Sequence, residues 1–405
     1  MITEFYGELL VSPIPLELAL NYCSHKCAYC FANLNKPDRT VDVKGLLSQL
    51  KNYPNQNNLT AHLLREKYPV LISNRVDPFA ISNYQITLPV IETLAGLDIP
   101  VSFQTRGGKG IDEALQIVKK PTLWYISICQ TDDAIRKQIE PGGSRLEERW
   151  ELVAKLQAEG HNVVLGINPL VPEWIDLDIL FEKLRTHNIK NVWIGRLHLN
   201  NDQQNNMSER EKQAIGQVLL GRAKKRGLSD VDLAYHAQFS QMCEAEGIAV
   251  YHTGGSHETN YFDIYHQTYE KTFPTMQGFM NTIWQTKQDG DLVRFSEFLN
   301  YVNPHLPTGD FALRGYIASV FRVYKHFSLP TKFSFTNLLD MFWNDERIGK
   351  NMSTFPNFSY AVMQDAETDE LDYVYDQYDK KAGWWCLTKH LRLIKKLCYS
   401  KKEVF

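Results

Sequence analysis

No apolar run in this chain approaches the ~20 residues that a membrane-spanning helix requires. The first residues, Met1-Ile2-Thr3-Glu4-Phe5-Tyr6-Gly7-Glu8, carry no basic stretch, so no export signal is expected. Internal repeats and low-complexity tracts are missing as well, which excludes solenoid and disordered classes. Net charge is only −3, too small and of the wrong sign for indiscriminate nucleic-acid binding over the whole surface. A local basic face remains compatible with that figure, because phosphate binding depends on where the positive charge lies. Cysteine is sparse, seven in 405 residues, and suits a reducing cytoplasm better than an oxidising compartment. With 43% hydrophobic and 22% charged residues, the composition is that of a soluble globular protein of one large domain or two.

Three of the seven cysteines are clustered, in Asn21-Tyr22-Cys23-Ser24-His25-Lys26-Cys27-Ala28-Tyr29-Cys30-Phe31. Thiolates at the spacing C-x₃-C-x₂-C can bind three irons of a four-iron, four-sulfur cluster. The fourth iron then has an open position, and an open position on a metal means chemistry rather than scaffolding. Zinc is the other metal to weigh, but it usually takes four ligands and prefers paired C-x₂-C units. His25 as a fourth ligand would lie inside a loop already crowded by the cysteines. A disulfide role fails on parity, since three cysteines cannot all pair.

Up to about residue 250, short β-rich runs alternate with amphipathic stretches. The expected strands are Leu16–Leu20, Val70–Ser73, Pro100–Gln104, Leu123–Ile128, Val163–Ile167 and Val192–Arg196. The clearest helix is expected over Ser144–Glu159, with Leu146, Trp150, Val153 and Leu156 on one stripe, Ser144 as cap and Gly160 as stop. Others are expected over Val43–Tyr53, Tyr84–Ala95, Ile111–Lys119, Leu177–His187 and Ser208–Arg226. Alternation of this kind implies parallel strands covered by helices, an α/β fold, and six such units suggest a partial (β/α)₆ barrel over residues 1–265. Active sites of such barrels gather at the C-terminal ends of the strands. Beyond, residues 266–405 lose the alternation and are dense in aromatics, which suggests a mostly helical extension. Its acidic stretch Asp365–Asp379 reads as a solvated loop or hairpin.

Polar residues collect where the strands are expected to end. Ser73, Asn74 and Asp77 follow the second strand, and Asp77 beside Pro78 is equally a helix cap. Thr105 and Arg106 follow the third, and a guanidinium fork there suits a carboxylate. Ser127 and Cys129 in the fourth share a face, because side chains alternate with period two. If that face is the barrel interior, both side chains point into the site, although a lone strand cysteine is most often a small buried hydrophobe. Arg196, His198 and Asn200 end the sixth strand. The loop Tyr251–Glu258 is polar and glycine-rich and is a candidate for substrate contact.

The cysteine spacing, with aromatic Tyr29 before the last cysteine, resembles the signature of radical S-adenosylmethionine (radical SAM) enzymes. That resemblance implies S-adenosylmethionine on the open iron, its reductive cleavage to a 5′-deoxyadenosyl radical, and a flavodoxin- or ferredoxin-type electron donor. It also implies cofactor contacts at Asn74, Asp77, Thr105, Arg106, Ser127 and Arg196. The Gly-Gly-Glu segment common in such enzymes at the second strand end is absent. Asp77, Thr105-Arg106, Ser127-Ile128-Cys129, Glu140-Pro141-Gly142, Arg145 as the early arginine of the next helix, and Pro169 resemble the spore photoproduct lyase-like branch. The branch implies a lyase or isomerase acting on a modified thymine-type base in DNA. Asn74 stands where the repair lyase has its hydrogen-donating cysteine, so a different ending of the reaction, through Cys129 or by rearrangement of the substrate radical, is expected. The alternatives are a radical SAM enzyme acting on a peptide or small metabolite, and a non-catalytic zinc-binding interaction protein.

Overall fold

The computed structural model describes residues 76–197 without a break, together with 16–17, 22–30, 43–56, 64–72, 201–223 and 229–252. Beyond 252 it describes short pieces, chiefly 291–293, 295–302, 310–312, 332–334, 373–379 and 384–389, besides a few single positions. The chain divides into two compact units. One comprises Met1–Phe5, Glu17–Asn52 and Pro69–Thr253; the other comprises Tyr6–Leu16, Tyr53–Tyr68 and Gly254–Phe405.

Strands β1 (Leu16–Glu17), β2 (Val70–Ile72), β3 (Val101–Thr105), β4 (Leu123–Ser127), β5 (Asn162–Ile167), β6 (Asn191–Ile194) and β7 (Ala249–His252) form one sheet in chain order. Every pairing from β2 to β7 is parallel. The sheet is open, with β1 at one edge and β7 at the other. Parallel neighbours need a long crossover, and helices supply it at Tyr84–Gly96, Ile111–Ile117, Leu146–Ala158, Leu177–Thr186 and Asp230–Ala245. The six expected strands are thus present, and β7 extends the series by one.

Burial follows from this layering. The helix-facing side of the sheet is sealed by Phe79, Phe103, Trp124, Ile126, Leu165, Val192 and Ile194, each at most 1% exposed. Phe103 sits 4.2 Å from Trp124 and 5.5 Å from Phe79, ring centre to ring centre. The other side is looser: Tyr125 and Trp193, on neighbouring interior positions, are only half-buried and meet edge to face at 6.4 Å.

Two expectations about helices need correction. The helix expected from Ser144 begins at Leu146, with Arg145 at its cap, where the Arg145 N–H donates to the Glu148 carboxylate at 2.9 Å. The Ser144 carbonyl is instead used by the Arg149 side chain, at 3.0 Å. The helix expected over Ser208–Arg226 is broken into Glu209–Ile215 and Gln217–Ala223, because Gly216 adopts φ +85°, a left-handed conformation that interrupts the ladder. Beyond residue 290 the described residues form the helix Phe295–Val302 and five short strands. Strands β11 (Tyr373–Asp379) and β12 (Trp384–Lys389) pair antiparallel, so the end of the acidic stretch is a hairpin, and β8 (Leu292–Val293) joins β12. The remaining two, β9 (Asp310–Ala312) and β10 (Lys332–Ser334), pair antiparallel with each other. Among the described residues no helix is long and apolar enough to cross a membrane.

Phe103→Ala removes the ring at the centre of the aromatic stack and is expected to cost about 3–5 kcal/mol of stability. A denaturant midpoint unchanged from the parent protein would contradict that account of the core.

Candidate cluster and radical site

The cysteine loop is short, and its own backbone bonds cannot hold it. Cys30 N–H reaches back to the Cys27 carbonyl at 3.1 Å, and Lys26 takes a left-handed φ of 51° to close the turn. Everything else comes from other strand ends. Ser24 and Ser82 exchange bonds, each N–H donating to the other's hydroxyl at 3.1 and 3.3 Å. The Asn83 amide donates to the Tyr22 carbonyl at 2.9 Å. From the far side, Ala28 N–H donates to the Ile139 carbonyl at 2.8 Å, and Gly142 N–H to the His25 carbonyl at 3.0 Å. A methyl group on Gly142 would lie 2.5 Å from the Ser24 carbonyl oxygen and 2.7 Å from His25 Cα, so that approach requires glycine.

Two buried carboxylates organise these contacts. Asp77, which follows β2, accepts from Thr105 Oγ1 at 2.9 Å, from Arg106 N–H at 2.5 Å and from Phe79 N–H at 2.9 Å. His25 Nε2 lies 3.1 Å from its other face. Burial alone would push the Asp77 carboxyl up, but the neighbouring His25 and the two backbone N–H donors hold it below the ordinary carboxylate value. Glu140 ends the helix Asp133–Ile139 and is fully buried. It accepts from the Tyr29 hydroxyl and from Arg106 Nε at 3.1 Å, and it pairs with Arg149 Nη2 at 2.6 Å. Burial opposes its charge as well, yet Arg149 and Arg106 outweigh burial and lower it to about 2.

Several expected cofactor contacts are therefore occupied within the protein. Asp77 and Thr105 are bonded to each other, and Asp77 also pairs with His25 of the loop. Arg106 bonds Glu140 and the Tyr29 hydroxyl, with its guanidinium carbon 5.5 Å from the Tyr29 ring centre. The early arginine of the helix, Arg145, is exposed and pairs with Glu148. Arg149 is completely enclosed at the site and also donates to the Ser127 carbonyl at 2.9 Å. Its position was legible in principle as a charge on the apolar stripe that runs Leu146, Arg149, Trp150, Val153. Trp174, whose ring lies 5.6 Å from that of Tyr29, carried no comparable signal, while His25 was weighed only as a metal ligand and Glu140 stood out only within its Glu-Pro-Gly run, because their partners are remote in sequence.

From β4, Ser127 Oγ and Cys129 Sγ lie 3.5 Å apart on one face, as alternation requires, and Cys129 is wholly buried 3.9 Å from the Gly166 carbonyl. Burial and the Glu140 carboxylate raise the Cys129 thiol, against smaller opposing contributions from Arg106, Tyr29 and Ser127, so it remains S–H. Arg196, two residues past β6, has a buried Nη1 with no hydrogen-bond partner. Asn74, Ser73, His198, Asn200 and the loop after His252 lie outside the described residues.

Cys23, Cys27 and Cys30 are free of disulfides. Burial raises Cys23 to about 11 and Cys27 well above the ordinary thiol value, with Arg106 opposing in both cases. Thiols so placed stay protonated unless a cation takes them, and a coordinating thiol is deprotonated outright. Among the described residues no three His, Cys, Asp or Glu side chains converge closely enough for a single ion. A cluster asks for no such convergence, since each thiolate binds its own iron. The donor set and its anchored loop fit such a group.

No family model matches the chain. It is 25% identical over 199 residues to an uncharacterized protein of Mycobacterium tuberculosis, covering 44% of this chain and 56% of that one. It is also a sequence homologue of the radical SAM Nα-GlyT isomerase of Pseudomonas phage M6, 26% identical over 170 residues, 40% of this chain and 35% of the phage protein. The chain thus spans little more than half the length of the first relative and about a third of the second. Spore photoproduct lyase complexed with dinucleoside spore photoproduct superposes with a TM-score of 0.44 and 16% identity, over 59% of this chain and 77% of that one. Streptococcus suis SuiB bound to precursor peptide SuiA superposes with a TM-score of 0.45 and 13% identity, over 87% and 67%. Superpositions this loose do not bear on chemistry.

Glu140→Gln leaves the enclosed Arg149 without its counter-charge and is expected to cost about 3–5 kcal/mol. Because the folded Glu140 value lies below the unfolded one, its contribution is full above about 4.5 and is lost as pH falls toward about 2. Stability measured between those limits should fall less steeply in the variant than in the parent, and equal slopes would contradict the pairing. Gly142→Ala should keep the circular-dichroism spectrum of the fold while lowering the iron bound after anaerobic reconstitution.

Proposed function

We propose that this chain is a radical SAM enzyme acting on a thymine-type base in nucleic acid. The observation that carries the reading is the cysteine loop itself. Three free thiols are held at the C-terminal side of the sheet by Asp77 and Glu140, from two other strand-end loops. The homology to a phage radical SAM isomerase supports the same conclusion. Bound to Cys23, Cys27 and Cys30, a four-iron cluster would supply the electron that opens S-adenosylmethionine and so generates the hydrogen-abstracting 5′-deoxyadenosyl radical.

The protein's part is orientation and protection. His25, Asp77, Thr105 and Arg106 act on the cofactor through the loop, by fixing where the three sulfurs stand. Arg196, whose buried Nη1 past β6 has no hydrogen-bond partner, is assigned to the S-adenosylmethionine carboxylate, and the Ser127 hydroxyl to its ribose. Asn74 is retained as a cofactor contact on the sequence pattern. Cys129 is assigned the hydrogen-atom donor to the substrate radical. Its S–H bond gives one hydrogen atom, and the thiyl left behind takes one electron from the flavodoxin- or ferredoxin-type donor and one proton. The base would have to be extruded to reach it, at a few kcal/mol of unstacking. A cytoplasmic location suits an oxygen-sensitive cluster.

The test is anaerobic reconstitution with iron and sulfide, followed by dithionite and S-adenosylmethionine. Formation of 5′-deoxyadenosine is expected, with loss of both cluster absorbance and product in Cys23→Ala, Cys27→Ala and Cys30→Ala; no 5′-deoxyadenosine from the parent would refute the assignment. Deuterated thymidine in an oligonucleotide should pass label into 5′-deoxyadenosine, and label from a peptide instead would move the substrate to that class. Cys129→Ala should still form 5′-deoxyadenosine but with less product per turnover than the parent protein.

A further inference from the structure

Two guanidiniums stand around the fully enclosed Glu140 carboxylate, Arg149 Nη2 at 2.6 Å and Arg106 Nε at 3.1 Å. One negative charge answers only one of them. Arg149 is enclosed and spends its other donors on the Ser127 and Ser144 carbonyls. Arg106 leans on the cysteine loop instead. Its Nη2 donates to the Tyr29 hydroxyl at 3.2 Å, and its guanidinium carbon lies 5.5 Å from the Tyr29 ring centre. Tyr29 directly precedes Cys30 and follows Cys27 by two residues. The Arg106 backbone is fixed as well, its N–H donating to Asp77 and its carbonyl accepting from Ser144 N–H at 3.3 Å. After burial, the Arg106 charge is the largest influence on the Cys27 thiol, ahead of Glu140, and it favours negative sulfur. At Cys23 the Asp77 carboxylate acts against it.

We propose that the Arg106 guanidinium, anchored on Glu140 and Tyr29, raises the reduction potential of the cluster bound by Cys23, Cys27 and Cys30. Taking up one electron makes a cluster one unit more negative, so a fixed cation near its thiolates stabilises the reduced form more than the oxidised one. Net charge and the groups around the sulfurs are what a protein uses to set such potentials. Glu140 makes a guanidinium tolerable at this position, and because Arg149 shares that carboxylate, Arg106 is not neutralised by its own anchor. The electron comes from the flavodoxin- or ferredoxin-type donor. The inference rests on the cluster reading above and adds the group that decides how readily the cluster is reduced.

The experiment is a redox titration of the anaerobically reconstituted full chain, read by electron paramagnetic resonance of the reduced cluster, in the parent, Arg106→Gln, Arg106→Met and Arg106→Lys. The Arg106 side chain is 25% exposed, which leaves room for substitutes of different shape. At the parent midpoint both neutral variants should show a ratio of reduced to oxidised cluster about tenfold smaller, the scale of one unit charge inside a protein. For a one-electron couple that is a midpoint about 59 mV more negative. Arg106→Lys keeps the charge and should keep the parent midpoint. A lysine variant shifted as far as the neutral ones would make hydrogen-bond geometry the cause and overturn the proposal. Unmoved midpoints in Arg106→Gln and Arg106→Met would overturn it, and an unmoved midpoint with weaker S-adenosylmethionine binding would give Arg106 to the cofactor's carboxylate instead. Failure of both neutral variants to take up the iron that the parent takes up would make Arg106 structural and overturn it too. A parent protein that assembles no four-iron cluster would remove the radical SAM reading, and this inference with it.

Discussion

A buried carboxylate is tolerated only where charge and hydrogen bonds surround it, and Asp77 and Glu140 are two such groups. Each is stabilised by partners that come from different strand ends. Asp77 joins the β2 and β3 ends to His25, and Glu140 joins the β3 end and the helix Leu146–Ala158 to Tyr29. Because the partners are obligatory, the cysteine loop between them has one position. Neither carboxylate can give up a partner cheaply, so the loop's placement is coupled to the stability of the fold.

The parallel sheet makes this possible. Its strands all end on the same side, so short loops from β2, β3 and β4 converge there without any long-range threading. The face sealed by Phe103 and Trp124 carries the packing, while the opposite face stays looser around Tyr125 and Trp193. Core and site thus occupy opposite faces of the same strands. Arg149 bridges them: it lies on the apolar stripe of its helix, reaches Glu140, and also holds the Ser127 carbonyl at the end of β4.

Much of the frame was legible. Short apolar, β-rich runs placed β2 to β6 within about two residues, because a strand buried on both faces is written locally as such a run. The break at Gly216 was missed because a single glycine inside a helical pattern is compatible with continuation until its φ is known. Arg106 illustrates the limit at the site. The residue type suggested a carboxylate partner, and it has one, but the carboxylate is Glu140 of the protein itself. Residue type identifies an interaction's chemistry, and only packing identifies its partner.

By itself, the sequence determined the thiol triplet, the α/β alternation and the strand-end positions of the polar residues, since spacing along the chain is enough for each. The tertiary structure decided which polar groups are already satisfied. Asp77, Thr105, Arg106 and Glu140 are bonded to one another and to the cysteine loop, while Gln130 and Arg196 Nη1 are left with unused donors and acceptors. That distinction depends on distances of about 3 Å between residues far apart in the chain, which no local pattern encodes.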